Sequence, residues 1–149
     1  MSFFNKLIIL LVVLFTVLWE APCAISSRNQ TGEEFIIPFQ KTHVVVYNFL
    51  EGLNNFTIHC MSKDDDLGSH VIGPEDNYDW GFRSNIWGTT LFFCGLSCPY
   101  GSGTFDLYKG ERDRERCLVC VWHVTKDGIY GYDGSHTLDV EYKWPKPVY

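Results

Sequence analysis

The sequence predicts an all-β fold, a small antiparallel β-sandwich of seven to eight strands stapled by disulfides. Three observations carry that expectation. Short runs rich in Val, Ile, Phe, Tyr and Trp recur at intervals of about ten residues, with Gly, Asn and Asp between them. No segment sustains a helical period. Six cysteines stand in a chain of 149 residues whose N-terminus has the form of a secretory leader.

The elements follow in order. Lys6 precedes LIILLVVLFTVLW, residues 7–19, an uncharged apolar run. That run is too short to cross a bilayer core, which needs about 20 residues, and fits the apolar region of a signal peptide. Cleavage after Cys23 places Ala21 at position −3, and cleavage after Ser26 places Ala24 there. Residues 1–23 are therefore read as a signal peptide, cut between 23 and 26, and residues 24–42 as a polar tail. Residues 43–149 are read as the sandwich domain. Two sequons survive the cut, at Asn29 and Asn55, and both are glycan acceptors in a chain that passes through the secretory route.

The predicted strands are HVVVYNFL (43–50), FTIHCMS (56–62), YDWGFR (78–83) and TTLFFCGL (89–96), followed by GTFDLYK (103–109), CLVCVWHVT (117–125), GIYGY (128–132) and TLDVEYKW (137–144). Alternation puts Phe56, Ile58 and Cys60 on one face of their strand, and Leu118, Cys120, Trp122 and Val124 on one face of theirs. Between strands, residues 62–73 and 110–116 read as charged loops.

The formal charge of −6 argues against nucleic acid or an anionic membrane as partner, and removal of the leader leaves it unchanged. No second long apolar run predicts membrane insertion after processing. The cysteine pairs Cys94–Cys98 and Cys117–Cys120 have zinc-knuckle spacing, but a secreted domain oxidises its thiols. No metal or cofactor is expected. Residues three apart on a strand face opposite ways, so Cys117 and Cys120 are expected to seek different partners. Cys60 and Cys120 both share a face with core residues, which predicts a Cys60–Cys120 bridge. Cys117 then pairs with Cys94 or Cys98, and an odd thiol is left over, with a dimer through Cys98 as one outcome.

Five stretches in sequence, HCMSKDDDLG (59–68), WGF (80–82), TTLFFC (89–94), FDLY (105–108) and CLVCVW (117–122), resemble the plant self-incompatibility protein family, the S-protein homologues. The resemblance spans residues 43–144. It implies a secreted, disulfide-stapled β-sandwich that acts as a ligand; in poppy such a protein is the pistil determinant that rejects self pollen. The family's cysteine positions correspond to Cys60, Cys94, Cys117 and Cys120. Relatives often carry further cysteines where this chain has Tyr130 and Tyr142, and Cys98 falls outside the usual pattern.

No catalytic constellation is visible: the five histidines are scattered, with neither HExxH nor G-x-S-x-G, so the chain reads as a non-enzyme. The DDD triplet at 64–66 lacks calcium-loop spacing and reads as turn structure, with Asp64 and Asp66 as capping side chains and Gly68 supplying a permissive φ. That leaves Arg112, Asp113, Arg114, Glu115 and Arg116 as the candidate receptor-binding loop, where charge reversal at Arg112 and Arg114 is expected to weaken binding and leave the melting temperature nearly unchanged. The predicted partner is a cell-surface receptor protein. The competing reading is an extracellular glycan-binding or wall-associated module, with Trp87, Tyr100 and Tyr149 as an aromatic platform.

Overall fold

The computed structural model describes residues 41–146. The leader, residues 24–40 of the tail with Asn29, and Tyr149 lie outside the described residues; Lys41 and Thr42, read as tail, open β1. The order is β1 (Lys41–Asn48), β2 (Phe56–Met61), β3 (Asp66–Ile72), β4 (Asn77–Arg83), β5 (Leu91–Cys98), β6 (Gly101–Lys109), α1 (Gly110–Asp113), β7 (Val119–Val124), β8 (Gly128–Tyr132) and β9 (Leu138–Lys143). They form a five-stranded sheet, β4-β1-β7-β8-β9, and a four-stranded sheet, β3-β2-β5-β6. Within the described residues β1 and β7 pair in parallel, and the other pairs are antiparallel.

The period-two pattern becomes the core. Val44 and Val46 of β1, Ile58 and Cys60 of β2, Cys94 and Leu96 of β5, and Trp122 and Val124 of β7 are buried between the sheets. Rings join the two layers: Phe82 of β4 meets Phe92 of β5 at 4.5 Å and Tyr108 of β6 at 4.7 Å between centroids. Trp122 is fully buried, and its indole N–H donates to Leu107 O of the facing sheet at 2.9 Å. A buried indole needs that partner, since the unpaired N–H would carry its full desolvation cost. Gly131 makes room for the indole, because a Cβ there would lie 2.7 Å from the Trp122 ring.

The strand β3, on the edge of its sheet, was expected to be loop. Its sequence, DLGSHVI, has one buried residue in seven, so no apolar alternation marks it. Backbone pairing to β2 makes it a strand.

The disulfides correct the expected pairing. Cys60 joins Cys94, and Cys117 joins Cys120. Cys60 and Cys94 are direct partners in the β2–β5 ladder, 4.0 Å apart at Cα, and both point into the core. A shared core face therefore led to the neighbouring strand in the same sheet, where the expectation had looked across to Cys120. The rule that separates residues three apart holds only inside a strand, and β7 begins at Val119. Cys117 still belongs to the turn that closes on Asp113, whose carbonyl accepts from both Arg116 N and Cys117 N at 3.1 Å. The curled backbone brings the two sulfurs together. Cys98 is half-buried against the core and keeps its thiol.

Candidate functional site

Successive connections alternate between the two ends of the sandwich. One end carries the β1–β2, β3–β4, β5–β6 and β7–β8 loops. Asn48 ties this end together: buried, it donates to the carbonyls of Asn54, Ile72 and Gly73 at 2.9, 3.1 and 2.8 Å, and accepts from Leu50 N. The sequon residue Asn55 lies at this end and is exposed.

The opposite end carries residues 62–65, 84–90, 110–118 and 133–137. Three depressions lie there, of about 480, 470 and 330 Å³, the first and third sharing Arg114 and Glu115. Apolar side chains stand out around them. Trp87 is 80% exposed and Ile86 51%, and Leu118 and Val119 are also exposed. Arg114 joins two of the loops by donating to Ile86 O at 3.1 Å.

The candidate receptor-binding loop divides in two at this end. Asp113 is fully buried at the end of the short helix α1. Its carboxylate accepts from Arg112 at 2.7 and 2.8 Å, from Arg116 at 3.1 Å and from Lys109 N at 2.7 Å. Arg112 also donates to Tyr142 Oη and Asp106 O, while Arg116 grips Asp139 through two bonds of 2.6 Å. Both guanidinium groups lie over Trp122, at 5.5 and 5.7 Å from a ring centroid. Burial alone would lower the pKa of each arginine; Asp113 with Tyr142 outweighs it at Arg112, and Asp139 with Asp113 at Arg116, and both are raised. Arg112, Asp113 and Arg116 thus hold the domain together, contrary to the expected solvated loop. Arg114 and Glu115 face outward. The signal missed in the sequence was spacing: Arg112 and Arg116 stand four apart, and the short helix with the turn that follows it brings both onto Asp113.

The aspartate triplet shapes its turn through different atoms from those expected. Ser62 Oγ accepts from Asp64 N and Asp65 N at 3.2 and 2.9 Å. Asp66 accepts from Gly68 N at 2.9 Å, with Gly68 at φ 74°, and sits 2.6 Å from His59 Nε2. The His59 bond, then the Gly68 N–H, holds the Asp66 carboxyl below the usual range. The Asp64 carboxylate caps nothing among the described residues, so only half of the expected capping pair does so.

Of the proposed aromatic platform, Trp87 and Tyr100 occupy opposite ends of the domain. They form no common surface. On the outer face of the five-stranded sheet, His123 is instead the centre of a different cluster, 4.3 Å from Phe49, 4.5 Å from Tyr132 and 5.9 Å from Tyr47 between centroids. Burial among these rings lowers the His123 pKa.

Residues 43–144 match the model of the family described as plant self-incompatibility protein S1. The chain belongs to that family. S-protein homolog 27 of Arabidopsis thaliana is 37% identical over 147 residues, covering 97% of this chain and 92% of that protein. S-protein homolog 6 of the same plant is 38% identical over 120 residues, covering 79% of this chain and 87% of that protein. A solved SPH (Self-Incompatibility Protein Homologue) chain, described as one of a widespread family of small, highly stable, secreted proteins from plants, shares the fold. Its TM-score is 0.50 at 15% identity, over 72% of this chain and 93% of that one. The self-incompatibility family is thus one of secreted plant proteins, and the two buried disulfides of this member suit an oxidising compartment.

Proposed function

We propose that the protein is a secreted signalling ligand that binds a cell-surface receptor, in recognition of the pollen–pistil kind after which its family is named. The observation that carries this reading is Trp87, 80% exposed on a loop beside Ile86 and held next to Arg114. Tryptophan and arginine are the residues on which protein interfaces most often depend, and a soluble domain gains nothing in stability by leaving an indole in water. Arg114 and Glu115 are the part of the charged segment available to such a partner. Asn55 stands at the opposite end, so a glycan there leaves the surface clear. Removal of residues 1–23, glycans on Asn29 and Asn55, and a dimer through Cys98 belong to the same proposal; mass spectrometry and non-reducing electrophoresis of the secreted protein test them.

The receptor reading is tested with labelled protein on intact plant cells. Binding should saturate, and Trp87→Ala should weaken it by about 2 kcal/mol, the scale of an interface hot spot, with the melting temperature unchanged. Full binding by both Trp87→Ala and Arg114→Ala would remove this surface from the account. Competition by soluble sugars would favour the wall-associated module instead.

A further inference from the structure

We propose that the free edge of β4 pairs with the same edge of a second copy of the chain, in an antiparallel ladder that sets Gly81 against Gly81 and Asp79 against Arg83. This surface uses neither Trp87 nor Arg114, so it stands apart from the receptor reading. It also stands apart from a dimer through Cys98.

The edge is open and regular. β4 closes one side of the five-stranded sheet, and β3, β6 and β9 are the other edges of the two sheets. Each of those three meets its neighbour with a break in register, whereas β4 follows β1 without one from Lys41–Arg83 to Tyr47–Asn77. The β6 edge is further closed by Arg112 and Tyr142, both of which donate to Asp106 O. Bulges and covering groups are among the devices that keep sheet edges from pairing, and β4 has neither among the described residues. Edge charge is the remaining device, and on β4 it is complementary to its own copy.

Backbone polarity limits the registers that can bond. His43 N donates to Leu118 O and Phe49 N to Val124 O, so the odd residues of β1 face β7 and its even residues face β4. The partners of those even residues in β4 are Phe82, Trp80 and Tyr78. The N–H and C=O groups of Asn77, Asp79, Gly81 and Arg83 therefore point away from the sheet. Asn77 N turns to Asp76 Oδ1, while the groups of Asp79, Gly81 and Arg83 have no backbone partner among the described residues. A second copy must set these odd residues opposite one another.

Charge then selects the register. Asp79 and Arg83 are exposed on the outer face of β4, and neither forms an ion pair among the described residues. Lys41 stands directly across from Arg83 in the ladder, a pair of like charges that is unfavourable without a carboxylate nearby. With Gly81 on the two-fold axis, Asp79 of each copy lies opposite Arg83 of the other, and the facing residues exchange N–H···O bonds in both directions. Centred on Trp80, the ladder would leave Asp79 against glycine. Centred on Asp79, it would set carboxylate against carboxylate. Gly81 suits the axis, because Lys41 and His43 already cover its outer side, where a Cβ would lie 2.7 and 2.8 Å from them.

The experiment is sedimentation equilibrium of the full secreted chain carrying Cys98→Ser, which removes any covalent dimer through that thiol. The mass should rise with concentration from one chain towards two. Asp79→Arg and Arg83→Asp, each with an unchanged melting temperature, should weaken the dimer by at least about tenfold, since both place like charges in register. An equimolar mixture of the two variants should dimerise again, because each supplies the charge that the other lacks. In hydrogen exchange, the amides of Asp79, Gly81 and Arg83 should gain protection as concentration rises. A single-chain mass at every concentration, a dimer indifferent to both substitutions, or mixed variants that stay apart would overturn the proposal. So would protection of those amides that is independent of concentration, which would put another segment of the same chain on the edge.

Discussion

Arg112 and Asp113, adjacent in sequence, point the same way: the guanidinium of Arg112 meets the carboxylate of its neighbour at 2.7 and 2.8 Å inside the domain. The helical turn Gly110–Asp113 makes that possible, and Gly110 itself packs where a Cβ would lie 2.4 Å from Gly88 O. The resulting cluster connects β6, α1, the turn before β7 and β9 through Asp106, Asp113, Arg116 and Asp139. It sets the base on which the exposed loops rest.

The first prediction concerns Asp113. Asp113→Ala would leave two guanidinium groups facing each other over Trp122, with no carboxylate between them. Removing one partner of a buried ion pair typically costs about 3–5 kcal/mol, and urea unfolding should show a loss of that order. Arg112→Glu should also destabilise, where a solvated-loop reading expects no change. Arg114→Glu, with its side chain exposed, should leave the unfolding midpoint within error.

The second concerns the bridges. Peptide mapping without reduction should recover Cys60 with Cys94 and Cys117 with Cys120. The loops they close differ, at sequence separations of 34 and 3. Chain-entropy estimates give roughly 4 kcal/mol for the longer loop and roughly 2 kcal/mol for the shorter. The double variant Cys60→Ser with Cys94→Ser should therefore lose about twice as much stability as Cys117→Ser with Cys120→Ser. Equal losses would show that native packing, and not the loop, decides.

These cases also show how far the sequence could be read. Eight strands were legible, most because their inner residues alternate, as in Phe56-Ile58-Cys60, TTLFFCGL because it is apolar on both faces, and GIYGY because it follows the Lys126-Asp127-Gly128 turn. The edge strand β3 was not, because it buries only Ile72 and is held by backbone bonds to β2 that no side chain announces. At the site, the charged segment was visible but its direction was not: a run of alternating signs looks the same whether it faces water or closes on a buried aspartate. Exposed Trp87 was assigned to a platform with Tyr100 because sequence does not say which loops share an end of the sandwich.

The third prediction separates neighbouring aspartates. Asp66 accepts the Gly68 N–H and meets His59, whereas the Asp64 carboxylate has no partner among the described residues. Asp66→Ala should lower the melting temperature, and Asp64→Ala should leave it unchanged. Ser62→Ala should behave like Asp66→Ala, since its hydroxyl accepts from two backbone N–H groups of the turn. A loss at Asp64 equal to that at Asp66 would contradict the geometry.

The last prediction is a pH dependence centred on His123. Burial among Tyr47, Phe49 and Tyr132 lowers its pKa below the ordinary 6.5. The folded protein then binds this proton less readily than the unfolded chain does. As pH falls below about 6.5 the unfolded state protonates first, so stability declines until the folded state takes up the proton too. Above that pH the group contributes no slope. Asp66 and Asp139 act in a separate window: His59 and Arg116 respectively hold their carboxyls low, so their contribution is present above about pH 4 and lost on further acidification. Urea midpoints measured at pH 7.5, 6 and 5 should therefore decline in the native protein, and His123→Phe should flatten the decline while keeping the ring cluster. Native and variant curves that fall in parallel between pH 7.5 and 5 would assign the slope to another group.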